Sequence, residues 1–150
     1  MKKLILASAA LLALAACSSD DDSNGYSCSV SRANNSVSIH ETYRGQTYTQ
    51  TQTVYVDDYG ESYSIFTTDI SFTSSEEAAY ECADEKDEAR HWKDGSYQVE
   101  CTSNSVHVVQ RDDSHYKDLD DMAANFQSMC DEGYQRAKNG TLDDDDEDWD

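Results

Sequence analysis

Proline is absent from this chain of 150 residues, basic side chains are scarce, and phenylalanine occurs only three times. Without proline there is no proline-rich linker to divide the chain, and its length leaves room for one modest domain. The 11 lysines and arginines stand against 31 aspartates and glutamates, for a formal net charge of -20. Phosphate backbones are held by basic footprints, so nucleic acid is excluded as a partner. With 10 tyrosines to three phenylalanines, the apolar material leans toward half-wet aromatic surface, which argues against a deep oily core and a large catalytic cleft.

What is present begins with Met1-Lys2-Lys3, an apolar run from Leu4 to Ala13, and the tetrad Leu14-Ala15-Ala16-Cys17. A short basic segment, about ten apolar residues and a small-residue cleavage site mark a secretory signal peptide, too short to span a bilayer core of roughly 30 Å. An ordinary secretory leader shares these features, but the tetrad ending in Cys17 resembles the lipobox of bacterial lipoproteins. That resemblance implies removal of residues 1–16 and two or three acyl chains on Cys17. Two chains anchor a protein stably, at about 0.8 kcal/mol per buried CH₂, so the chain is expected at a membrane without spanning it. Residues 17–25 continue with Ser18-Ser19-Asp20-Asp21-Asp22, polar and acidic, and are expected to form a flexible tether. Acidic residues after the lipidated Cys resemble a surface-export signal, and Ser18 resembles the pattern of lipoproteins not retained at the inner membrane. Both point to the outer membrane, at the cell surface or on the periplasmic face.

After processing the net charge is -22, but the tether holds three acids and residues 143–150 hold seven, leaving -12 on the segment between. The acidic tail 143–150 is expected to be disordered, and 26–142 to form the single domain. Its field still repels nucleic acid and anionic headgroups. Four cysteines remain once Cys17 is set aside: Cys28, Cys82, Cys101 and Cys130. An even number in an exported chain reads as two disulfides, with three possible connectivities. A four-thiolate zinc site would bring its ligands in close pairs, and these separations run to tens of residues.

Strand patterning dominates the first half. Tyr26, Cys28 and Val30 alternate with serines, Val37 and Ile39 alternate with Ser36, Ser38 and His40, and Ala33-Asn34-Asn35 supplies a turn, which predicts a hairpin. Residues 47–56 set Thr47, Thr49, Thr51, Thr53 and Tyr55 against Tyr48, Gln50, Gln52, Val54 and Val56; the β-branched threonines favour an extended chain. Asp57-Asp58-Tyr59-Gly60 reads as a turn, and residues 62–72 resume with Phe66, Thr68, Ile70 and Phe72 on one face. Ser74 and Glu77 then fit a capping box, followed by a narrow helical stripe of Ala78, Ala79, Cys82, Ala83, Lys86 and Ala89 that Asp94-Gly95 ends. Strands return with Tyr97, Val99 and Cys101, then Val106 and Val108 beyond a turn at Ser103-Asn104. A last helix is predicted from Tyr116 to Asn139, with Leu119, Met122, Ala123, Phe126, Met129, Cys130 and Ala137 at helical spacing and Gly140 as its C-cap.

The two halves are alike in outline. Asn35-Ser36-Val37-Ser38-Ile39 after Cys28 resembles Asn104-Ser105-Val106-His107-Val108 after Cys101, and each hairpin leads to a Cys-bearing helix. Chance similarity in a Ser/Asn/Val-rich chain is the rival reading. A true duplication would pair Cys28 with Cys82 and Cys101 with Cys130.

Motifs for catalysis are missing. Of the four histidines, His40, His91, His107 and His115, His40 and His107 fall on the polar faces of strands, opposite Ile39 and Val106, with no Ser, Cys or carboxylate at motif spacing. No nucleophile elbow, zinc-protease helix, P-loop or dinucleotide fingerprint occurs. A glycosidase pair needs one buried acid of raised pKa in a cleft, whereas these acids pattern onto helix faces and tails. The Asp-rich segments lack the loop that fixes calcium ligands, so no metal and no cofactor is expected. Tyr43, Tyr48, Tyr55, Tyr59 and Tyr63, all in the strand-rich segment, are the candidate binding residues, since exposed tyrosines stack on sugars or anchor a protein; cross-strand packing is their alternative role. Trp92 is expected to cap the core and Trp149 to be exposed.

These readings converge on an α+β domain: an antiparallel sheet of about six strands, two helices on one face and two disulfides. The expected function is non-catalytic, a lipid-anchored binding or interaction module of the outer membrane with a protein or polysaccharide partner. Tyr26-Ser27-Cys28, the acidity and the anchor also resemble periplasmic lysozyme inhibitors, whose small β-barrels the predicted helices fit poorly. That resemblance implies, as the alternative, a lipid-anchored inhibitor of a basic enzyme such as a lysozyme.

Overall fold

The computed structural model describes residues 25–113 and 118–142. Cys17, the tether, His115, Tyr116 and the tail with Trp149 lie outside the described residues. The first four strands form a meander: β1 (Ser27–Arg32), β2 (Ser36–Tyr43), β3 (Gln46–Val56) and β4 (Ser62–Ser71). Helix α1 (Ser75–His91) then crosses to the far edge strand β5 (Tyr97–Cys101), from which β6 (Ser105–Asp112) returns beside β4, before α2 (Leu119–Asn139) closes the chain. The strand order is β1-β2-β3-β4-β6-β5, antiparallel at every pairing.

Local chemistry accounts for the turns. Ala33 donates its amide to the Ser36 carbonyl at 2.8 Å in the first hairpin. Between β2 and β3 the chain reverses on Arg44 and Gly45, with φ of +48° and +86°. Two consecutive residues of positive φ match the twist of the flanking strands, which tight hairpins need. Arginine is an unusual choice for the first of the pair, and the sequence patterning does not flag this turn.

Register fixes the faces. Ile39 pairs with Val30 and Gln50, Gln50 with Thr68, Thr68 with Val108, and Val108 with Val99, so these six side chains share one side. Both helices pack on that side, α2 over β1 and β2 and α1 over β5 and β6. Around α2 the core gathers Tyr26, Cys28, Val37, Ile39, Met122, Phe126, Cys130 and Ala137. The expected α+β architecture with two helices on one face is therefore the observed one.

The disulfides are Cys28–Cys130 and Cys82–Cys101, with Cα separations of 5.4 and 6.1 Å. This corrects the pairing a duplication would give. Each hairpin is joined to the helix of the other half, because α1 runs directly into β5 while α2 follows β6 and returns to the opposite edge. The α1 stripe is corrected as well. Ala78 is buried and Glu81, Cys82, Glu85 and Ala89 are half-buried, whereas Ala79, Ala83 and Lys86 are exposed. The Cys82–Cys101 bond and a 2.5 Å hydrogen bond from the Tyr97 hydroxyl to Glu85 set the roll of this helix, which alanine spacing alone does not specify. Helix α2 starts at Leu119 on the N-cap Asp118, whose side chain accepts from the Asp120 amide at 2.7 Å, and ends at Gly140 with φ of +72°.

Candidate functional site

The helix-free side of the sheet is built from short polar residues. Ser27, Thr42, Thr47, Ser71 and Ser105 line up across five strands, a row of hydroxyls set by register. Two residues further along each strand, Ser29, His40, Thr49, Asp69, His107 and Glu100 form the next row, and then Ser31, Ser38, Thr51, Thr67, Val109 and Gln98. Rows repeat about 6.8 Å apart along the strands and columns about 4.8 Å apart across them. Neighbouring side chains brace one another: Ser27 with Thr42 at 2.5 Å, Ser38 with Thr51 at 2.7 Å, and His40 Nδ1 with Thr49 Oγ1 at 2.7 Å. The Thr ladder read from residues 47–53 is thus one column of a wider hydroxyl lattice.

His107 stands on this side with its Nδ1 2.6 Å from Asp69 Oδ1. A carboxylate on one ring nitrogen orients an imidazole, which is the positioning half of a general base. The side chains are 40% and 61% exposed, so water screens the pair. His40 and His107 lie three columns apart, and His91 bonds to the Asp87 carbonyl on its own helix at 2.9 Å. Among the described residues no group of three or more His, Cys, Asp or Glu could hold a metal ion. A concavity of about 320 Å³ on α2, lined by Ser128, Asp131, Glu132, Gln135 and Arg136, contains none of these histidines.

The five candidate tyrosines divide among three places. Tyr43 and Tyr48 are on the helix side, packed against the α2 core, which removes them from any exposed platform. Burial, with Glu41, Glu85 and Glu81 nearby, pushes the Tyr48 phenol up to about 12. Tyr55 and Tyr63 are cross-strand partners on the open side, with rings 5.4 Å apart and 18° from parallel, and the Arg111 guanidinium lies 4.0 Å from the Tyr63 ring centre. Tyr59 occupies the tip of the β3–β4 hairpin, 92% exposed. Alternation along residues 47–56 set Tyr48 and Tyr55 on opposite faces, but which face is covered, and where Tyr43 and Tyr63 fall, needed the register.

Trp92 is half-buried and donates its indole N–H to the Arg111 carbonyl at 3.3 Å. Two residues carry structural weight that no sequence signal marked. Gln52 is fully buried on the helix side, donating to Ser64 Oγ at 2.9 Å, with its Oε1 lacking a hydrogen-bond partner. Gly133 leaves space on α2 for the Tyr26 ring. No described helix is long and apolar enough to cross a membrane. No family model, curated protein or solved structure matches the chain.

Proposed function

We propose that this chain is a non-catalytic binding module, held at the outer membrane by lipid on Cys17, whose working side is the helix-free face of the sheet. The supporting observation is an asymmetry: among the described residues both helices and both disulfides lie on one side, and no described helix covers the opposite face of the six strands. A stapled scaffold that presents a broad, braced polar surface suits recognition, because little ordering is lost when a partner docks. A protein or polysaccharide partner fits a surface of hydroxyls interrupted by Tyr55, Tyr63 and Arg111. The alternative, inhibition of a basic enzyme such as a lysozyme, draws support from the aromatic and acidic hairpin tip beside that face.

Two measurements test the proposal. Cells making the wild-type chain and a Cys17→Ser variant are fractionated, and the membrane-bound form is analysed by mass spectrometry. Lipid on Cys17 and loss of the variant from membranes are expected; an unlipidated, freely secreted wild-type chain overturns the anchor. Binding of the mature chain to polysaccharides is then compared with that of a Thr51→Arg/Thr67→Arg variant in the middle of the open face. Binding weakened at least about tenfold is expected. Hydrolysis of a glycoside or ester that His107→Ala abolishes would instead make the protein an enzyme.

A further inference from the structure

We propose that the tip of the β3–β4 hairpin, residues 55–61, is an insertion loop that seats Tyr59 in a concave, positively charged surface of another protein. The inference rests on the binding-module reading and names its partner class.

Exposed apolar side chains are concentrated here. Among the described residues four large hydrophobic side chains are exposed, and three of them, Tyr55 at 41%, Val56 at 65% and Tyr59 at 92%, fall within five residues of one hairpin end. Scattered exposed aromatics are ordinary, but a cluster at a protruding tip marks a contact site. Tyrosine is among the residues that dominate protein interfaces, combining a large rigid ring with a hydroxyl that stays satisfied when desolvated.

The loop is already fixed in shape. Asp57 donates its amide to the Glu61 carbonyl at 2.9 Å and accepts at its own carbonyl from the Gly60 amide at 3.1 Å. Its Oδ1 accepts from the amides of Tyr59 at 2.8 Å and Glu61 at 2.9 Å. Gly60, at φ of +83°, supplies the backbone reversal. Behind the tip, the Tyr55–Tyr63 stack and the Arg111 guanidinium on Tyr63 stiffen the stem. A preorganised loop loses little entropy on docking, which is how a small contact becomes tight.

Charge selects the partner. Asp58 and Glu61 flank Tyr59 and are exposed, and the neighbouring cation, Arg111, is held by Asp113 at 2.6 Å. The tip therefore presents one aromatic ring within an acidic rim, on a domain whose net charge is -12 between residues 26 and 142. Its complement is a basic rim around a pocket wide enough for a phenol. A narrow protrusion fits such a cleft and not a flat polysaccharide chain, which would lie along the sheet.

The test uses the full mature chain and three basic proteins with deep clefts: a c-type lysozyme, a pancreatic-type ribonuclease and a basic phospholipase A2. At least one is expected to bind at low salt, with affinity that falls as salt rises. Tyr59→Ala should weaken that complex by about 30-fold or more with an unchanged melting temperature. Asp58→Asn/Glu61→Gln should slow association and flatten the salt dependence, while Thr51→Arg/Thr67→Arg leaves this complex intact. Failure to bind any of the three, or equal binding by Tyr59→Ala, overturns the insertion loop. If Thr51→Arg/Thr67→Arg rather than Tyr59→Ala abolishes binding to one of the three proteins, or if polysaccharide alone binds, the module reading stands and the loop falls; if no ligand of any class binds, both fall.

Discussion

Gly133 contributes no side chain, yet the packing of Tyr26 depends on it. A Cβ at this position would lie 2.0 Å from the Tyr26 hydroxyl oxygen and 2.3 Å from the ring carbon that bears it. The ring has no room to retreat: Tyr26 is 5% exposed, its hydroxyl donates to Glu41, and its ring forms a T-shaped pair with Tyr134 at a centroid distance of 5.0 Å. Helix propensity alone predicts that Gly133→Ala stabilises α2 by nearly 1 kcal/mol. The steric conflict reverses that sign, and urea denaturation should show a net loss of about 1–3 kcal/mol, the cost of overpacking a filled core. Tyr134 adds to the same junction, its hydroxyl accepting from the Cys28 amide at 3.2 Å. Sequence patterning marked Tyr26 as a strand residue and passed over Gly133, because a glycine carries no periodicity signal until its neighbour is known.

At the scale of elements, α1 is where charge and packing conflict. Ser74 caps it as the sequence indicates, accepting from the Glu76 and Glu77 amides at 3.2 and 3.4 Å, while the Glu77 carboxylate takes a 2.8 Å bond from Gln46 in β3. One turn further on, the side that meets the sheet carries Glu81 and Glu85. Burial, with Glu85 and Asp84 nearby, raises the Glu81 carboxyl above its usual 4.5. Burial also raises Glu85, opposed by the hydrogen bond from Tyr97 and reinforced by Glu88 and Asp84. The folded state thus holds these protons more tightly than the unfolded chain. This contribution to stability is fully present below pH 4.5 and is lost as pH rises through the raised folded values. Thermal melts should show the melting temperature climbing as pH falls from neutrality toward 4.5. Glu81→Gln should raise it at pH 7 and flatten the climb, and an unchanged profile would mean that water reaches this carboxylate freely. The α2 pattern was more legible, since Met122, Phe126, Cys130 and Ala137 are buried as their spacing requires. Apolar volume orients that helix, whereas a disulfide and a tyrosine orient α1.

Across the whole molecule, the two disulfides tie opposite edges of the sheet to the helices lying over them. Cys28–Cys130 closes a separation of 102 residues and Cys82–Cys101 one of 19. In the chain-entropy account, constraining the unfolded state is worth about 4.7 kcal/mol for a loop near 100 residues and about 3 for one near 15. Cys28→Ala/Cys130→Ala should therefore cost more stability than Cys82→Ala/Cys101→Ala, by about 1–2 kcal/mol on that scale. Denaturant titration of the two double variants checks the order, and equal losses would show that native packing outweighs loop closure. The same long link holds α2 over β1 and β2, on the side where Cys82–Cys101 holds α1.

Strand alternation, turn residues and helical spacing by themselves determined the α+β class and the alternation that sets the threonines of 47–53 opposite Tyr48, Gln50 and Gln52, and the cysteine count gave the number of disulfides. The first two are local, following from neighbours two to four residues apart, and the third is a matter of composition. Which cysteine joins which, and which tyrosines reach solvent, were decided only in the tertiary structure. Both depend on strand order, on the register that aligns five hydroxyls in one row, and on which edge each helix returns to. These contacts join residues tens of positions apart, and their geometry exists only once the sheet has formed.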